Sequence, residues 1–316
     1  MKEHIKEYRQ EMTEKMIEAL KNGTAPWQKS WTGDSSPTNA VTGRRYTGSN
    51  TILLSLIGWL IDKGTDPRWC TYQQAQSKGW KIKRGSKGTK ITFWKKIKIA
   101  DNSPEEQIEN TKIIPVVKFF TVFHASQIDG IEQFSPTPFN NVIDNQEAEK
   151  IILDSGAQIR HSGFSAFYSP QDDFIQVPQK KLFIDTTSYY AVIFHELSHW
   201  SGHSSRLNRN LSGLKTSTTY AREELVAEIA SMFISVETGI PQNQEHFDNH
   251  VAYVSSWISI LKEDHNALFK AISDAEKAAN FILKTERKQD DDFYEQNFIL
   301  LNHTVSMCDI TIKYKT

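Results

Sequence analysis

Apolar residues recur at helical spacing from the start of the chain. Ile5, Tyr8, Met12, Met16 and Leu20 share one face, which predicts a helix over 4–20 that "KNGT" ends. The stretch from "APWQKSW" to "TGRRYTGSN" mixes Pro, Gly, Ser and Asn with aromatics and reads as loop. A nearly continuous apolar run at 50–62 predicts a buried helix capped by Asn50 or Thr51, and "TYQQAQSKG" predicts a short helix stopped by Gly79. Residues 80–100 alternate and contain Gly-Ser-Lys-Gly, the pattern of a hairpin; 111–128 returns as a further strand after an acidic loop at 101–110. The front is thus a small α+β unit around a three- or four-stranded antiparallel sheet. A Pro- and Asn-rich linker is expected near 129–141. Behind it the pattern predicts a helix at 144–155, short strands at 157–161 and 173–177, and helices over 187–201, from 218, over 246–262 and over 266–284.

With 316 residues, 38% of them hydrophobic, the chain can bury a sizeable core. The longest apolar run, 52–61, has about half the length a bilayer requires, and the N-terminus lacks the apolar stretch of a secretory signal, so no membrane partner is expected. Two cysteines, Cys70 and Cys308, exclude a disulfide framework and favour a cytoplasmic protein. The net charge of −1 conceals a division: residues 1–130 hold 21 basic and 13 acidic side chains, and the rest hold 16 and 25. A basic front on an acidic back suggests two modules with different partners.

The back carries His195-Glu196-Leu197-Ser198-His199 inside an amphipathic segment. On a helix, i and i+4 share a face, so His195 and His199 offer two imidazoles to one point, the arrangement zinc takes from a single helix. Glu196 is then placed to act as general base on a water acidified by the metal. A third ligand has three candidates. Gly202 stands where the metzincin motif has its glycine, but Ser205 occupies the place of that motif's third histidine. His203 lies on the same helix end, whereas a tetrahedron needs a donor from elsewhere. The helix "REELVAEIA" offers Glu224 and Glu228 at i and i+4. We assign Glu224 to the metal and Glu228 to a hydrogen bond that orients a ligand histidine, with Glu223 as fallback ligand. Zn2+ suits this donor set; Mn2+ and Co2+ are also accepted. Upstream, "SAFYSPQDDFIQVP" could offer a strand edge to an extended peptide, and Tyr168 a hydroxyl to the oxyanion.

In the front, 78–98 holds nine basic residues and no acid, and six of the eight tryptophans precede residue 100. Lysines and arginines track phosphates and exposed aromatics stack on unpaired bases, so the expected partner is single-stranded rather than duplex DNA. The candidate contacts are Trp27, Trp31, Arg44, Arg45, Tyr46, Trp80, Lys81, Lys83, Lys87 and Trp94.

Taken together, the two halves resemble the ArdC family of antirestriction proteins from conjugative plasmids and other mobile elements. The front is similar to its single-stranded-DNA-binding domain through "GTAPWQKSW", "PTNAVTGRRYTGSN", "WCTYQQAQSKGWKIKRGSKGTKITFW" and "FFTVFHASQIDG". The back is similar to its zincin-like metallopeptidase domain through "AFYSPQDDFIQVP", "HELSHWSGHSSRLNR" and "YAREELVAEIASMFI". The resemblance implies an α+β protein: a basic ssDNA-binding domain at 1–130 and a mostly helical gluzincin-type domain at 140–284; the tail, 285–316, departs from the family pattern and is assigned no role. It also implies His195, His199 and Glu224 as ligands, Glu196 as the catalytic residue, and protection of incoming DNA from restriction. The peptide substrate, a restriction-system component or a DNA–protein adduct, is left open. The alternative readings are a DNA-binding shield with a structural metal and a free-standing peptidase without DNA affinity.

Overall fold

The computed structural model describes residues 2–22, 36–62, 66–100, 111–135, 145–212, 217–240 and 251–285. Helix α1 (Lys2–Lys21) buries Tyr8, Met12, Met16 and Leu20, the face the spacing predicts. Strand β1 (Thr38–Asn39) precedes helix α2 (Gly48–Asp62), which begins two residues before the expected caps. Their side chains serve elsewhere. Asn50 donates to the Thr92 carbonyl at 2.8 Å and accepts from its N–H at 3.0 Å, and the Thr51 hydroxyl donates to the Tyr46 carbonyl.

Strand β2 (Arg68–Thr71) runs into helix α3 (Tyr72–Ser77), whose Thr71 and Gln74 form a reciprocal capping box. Next come β3 (Lys81–Ile82), β4 (Thr89–Ala100), β5 (Thr111–His124) and β6 (Ile128–Asp129). The expected 80–100 hairpin does not form. β3 pairs with β6, and β4 lies beside β5 in a four-stranded sheet of order β1-β2-β5-β4. β1 joins β2 in parallel while β2 and β5 are antiparallel, so the sheet is mixed. Gly88, just before β4, leaves space for Thr121, whose methyl lies 2.3 Å from where a Cβ would stand.

The back begins with α4 (Gln146–Ser155), capped by Asn145. Strands β7 (Gln158–His161), β8 (Phe167–Ser169) and β9 (Phe174–Val177) form a sheet of order β7-β9-β8, with β8 at an edge. Helices α5 (Thr186–Ser201), α6 (Thr218–Thr238), α7 (Val251–Glu263) and α8 (Ala267–Leu283) follow. α8 presents Ala271, Ala275, Ala278 and Ala279, all buried; small side chains let helices pack closely. The Trp257 indole on α7 donates to the Ala221 carbonyl of α6 at 2.8 Å.

One apolar core runs through most of this chain. Met16, Ile17 and Leu20 of α1 and Ile52 and Leu56 of α2 belong to the same cluster as Phe194, Ile229, Trp257 and Ile272. A smaller cluster holds Cys70, Ala75 and Ile128. Contacts divide the chain into residues 1–92 with 119–285, and 93–118 with 286–316. The division does not fall at the expected linker, of which 136–141 lie outside the described residues, as do the acidic loop 101–110 and the tail from 286. Among the described residues, no helix is long and apolar enough to cross a membrane.

Candidate metal centre

Asp185 caps α5 by accepting from the Ser188 N–H at 2.7 Å, and Gly202 ends the helix. The intervening four turns put His195 and His199 on one face, against α6. Their Nε2 atoms stand 3.1 Å apart. Glu224 brings Oε2 to 3.5 Å from His195 Nε2 and Oε1 to 3.4 Å from His199 Nε2. Among the described residues, these three form the one group of donors suited to a metal.

The opposite ring nitrogens are taken by carboxylates. His195 Nδ1 lies 3.2 Å from Glu228, and His199 Nδ1 lies 3.2 Å from Glu223. Each Nδ1 therefore carries a proton, leaving both Nε2 lone pairs and the Glu224 carboxylate aimed at one point. Donors this close could share one cation. Their separations match the edge of a tetrahedron with bonds near 2.05 Å, about 3.3 Å. The donor chemistry fits a divalent metal, zinc or manganese.

Without the metal, protons would do that work. Burial opposes charge on both imidazoles, but Glu224 and Glu228 carry His195 well above its ordinary range, and Glu223 and Glu224 carry His199 up to about 9. Burial would raise Glu224, yet the hydrogen bonds from the two histidines hold it far below the usual carboxylate range. Glu196, buried beside the group, goes the other way: desolvation raises its carboxyl, against the pull of the two histidines. The edge strand β8 packs against α5, the helix that carries Glu196.

The Tyr168 hydroxyl points away from an oxyanion role. It donates to Asp173 at 2.8 Å and accepts from Arg206 at 3.2 Å. Sequence reasoning also missed Tyr220, one turn before Glu224: burial first, then that carboxylate and Tyr253, push its phenol up. The signal was there in the i, i+4 spacing. Glu223, the fallback ligand, faces His199 Nδ1 and Arg209 instead of the metal point.

In the front, the DNA candidates separate. Trp27 and Trp31 lie outside the described residues. Arg44, Lys81 and Lys87 are exposed, and Trp94 is half-exposed. Tyr46 is buried, its hydroxyl accepting from Asn39 at 3.2 Å, so its ring is closed to a base; Trp80 is partly buried, packed on the Cys70 cluster. Lys83 donates to the Ser126 carbonyl at 2.7 Å, and Arg45 to the Val236 carbonyl at 3.2 Å.

A helix bearing two histidines, packed on a second bearing the glutamate, behind a small mixed sheet, defines a zincin-like protein. A zincin-like metallopeptidase model matches residues 146–274, and the model of the N-terminal domain of anti-restriction factor ArdC matches 6–123. The metal-free crystal structure of the antirestriction ArdC protein from plasmid R388 superposes with a TM-score of 0.70 at 33% identity, covering 87% of this chain and 96% of that one. Its Mn(II)-bound form gives 0.68 at 31% identity. The chain belongs to the ArdC family of antirestriction proteins. Two Escherichia coli proteins named DNA primase TraC are 41% and 40% identical over 92% and 90% of this chain, which spans 28% and 20% of their length. The Sinorhizobium fredii protein y4eC is 31% identical over 86% of this chain and 90% of its own.

Proposed function

We propose that this protein protects DNA of a mobile element from restriction by pairing a single-stranded-DNA grip with a metal-dependent peptidase. The observation that carries the reading is the triangle of His195, His199 and Glu224 with Glu196 buried beside it. His195, His199 and Glu224 hold the metal; Glu228 and Glu223 orient the histidines. A bound divalent metal supplies Lewis acidity, making water a nucleophile near neutral pH and polarising a substrate carbonyl. Glu196 takes the proton from the attacking water as the C–O bond forms. It returns that proton to the departing amide nitrogen as the C–N bond breaks.

The DNA grip belongs to residues 1–130 and the peptidase to 140–284. Arg44, Lys81 and Lys87, exposed and basic, are the phosphate contacts we favour; Trp94 is the base-stacking candidate. The working compartment is the cytoplasm of the recipient cell, and the substrate is a protein of the restriction machinery or one attached to the incoming DNA. The likeness to part of two proteins named DNA primase is in keeping with a role on DNA.

The test is establishment of unmodified plasmid DNA in a restricting recipient. Loss of protection with a folded, DNA-binding Glu196→Ala variant supports hydrolysis. Full protection by that variant makes the protein a DNA shield with a structural metal.

A further inference from the structure

The segment after α5 doubles back on the helix it leaves. The Leu207 N–H donates to the Ser201 carbonyl at 3.1 Å and the Arg209 N–H to the Gly202 carbonyl at 2.8 Å. Asn208 makes the bend in a left-handed conformation, φ 49°. The Arg209 guanidinium therefore lies along the end of α5, where a cation also complements the helix dipole.

Four hydrogen bonds hold it there. Nε and Nη2 grip the two oxygens of Glu223 at 3.1 and 2.7 Å, Nη1 donates to Ser201 Oγ at 3.0 Å, and Nη2 to the Ser198 carbonyl at 2.6 Å. Both side chains of the pair are only 9% exposed. A buried ion pair earns its place only when its donors and acceptors are met, and here they are. Glu223 Oε1 also meets His199 Nδ1 at 3.2 Å. Gly202 makes room: a Cβ there would stand 2.8 Å from Nη2 of Arg209 and 2.9 Å from Leu211. Its φ of −79° needs no glycine, so space explains the residue, and the metzincin motif does not.

We propose that Arg209 is a positioning residue of the metal centre, fixing Glu223 so that the His199 ring is held with Nδ1–H on Glu223 and Nε2 toward His195 and Glu224. The inference rests on reading those three residues as metal donors. Lysine cannot replace the arginine, because one ammonium does not span both carboxylate oxygens and the helix end in fixed geometry.

The experiment uses the full chain and two variants, Arg209→Lys and Glu223→Gln, each checked for cooperative melting without metal. Two quantities are read: the slowly exchanging Nδ1–H proton of His199 in metal-free protein labelled with 15N-histidine, and zinc affinity by chelator competition. We expect the wild type to show the protected proton, both variants to lose it, and both to bind zinc roughly 10–100-fold more weakly. Absence of that proton in the wild type, or a folded variant that keeps it with unchanged zinc affinity, overturns the proposal. So does failure of both variants to fold, which would make the pair a structural clamp. If the wild type binds no zinc while the proton still depends on Arg209, the positioning stands and the metal reading falls.

Discussion

Arg45 and Val236 join two regions that are 191 residues apart: the guanidinium donates to the carbonyl near the end of α6 at 3.2 Å, with Glu237 at 3.6 Å. A residue that looks, by sequence, like a phosphate contact is thus engaged with the helix that carries Glu224.

Substitutions in the basic front should therefore divide by role. Lys81→Gln with Lys87→Gln should weaken binding of single-stranded oligonucleotide and flatten the salt dependence, lowering the slope of log K against log salt by about 1.4. Arg45→Ala should leave that slope in place and cost about 1 kcal/mol or less in stability, as its pair is half-exposed. Binding titrations across a salt series and denaturant melts distinguish the two. Equal slopes for all variants would remove the lysines from the interface.

Binding to the folded state raises apparent stability by mass action. Zinc or manganese at about 100 times its dissociation constant should add about 2.7 kcal/mol, and EDTA should remove it. Glu224→Gln, which takes one charged donor from the group, should lose most of the gain measured against its own metal-free melt, which also lacks the ion pairs to the two histidines. Calorimetry with and without added ion checks this.

Glu196→Gln should keep the metal and lose hydrolysis of the eventual protein substrate by roughly 10²–10⁴-fold, the usual contribution of a general base. Chelator competition should give the wild-type affinity. A large fall in affinity would mean that Glu196 is itself a ligand.

The Arg206 guanidinium binds both oxygens of Asp173 and stacks 3.9 Å over the Trp200 ring, tying the end of α5 to the β8–β9 turn. Its hydrogen bonds, against a smaller desolvation, lower the Asp173 carboxyl to about 2 from an ordinary 3.8. A depressed carboxyl contributes stability that is fully present above 3.8 and lost as pH falls toward 2. Asp173→Asn should be less stable than wild type at pH 6, and the gap should close over that window. A gap that stays constant to pH 2 would show that the carboxylate charge plays no part.

How far the sequence spoke depends on the range over which each signal acts. His195 with His199, and Glu224 with Glu228, were legible because one helical turn fixes which side chains meet. Arg209 was not, because it reaches Glu223 through a bend set by Asn208 and by space at Gly202, neither of which periodicity records. The alternation over 80–100 held the strand residues of β3 and β4 but not their pairing, since β3 finds β6 far along the chain and β4 finds the next strand, β5. Asn50 and Thr51 resembled caps, yet Thr92 and Tyr46 claimed their side chains. Tyr46 carried the right residue type for stacking on bases; burial decided otherwise.

The core shared by Met16, Leu56, Phe194 and Trp257 also bears on inheritance. A gene fusion that took only the stretch from α4 to α8 would expose the apolar floor on which α1 and α2 rest. Recombination that preserves a working product has to move both segments as one cassette. The TraC primases bear that signature, since their likeness extends over nine-tenths of this chain while occupying little more than a quarter of theirs at most.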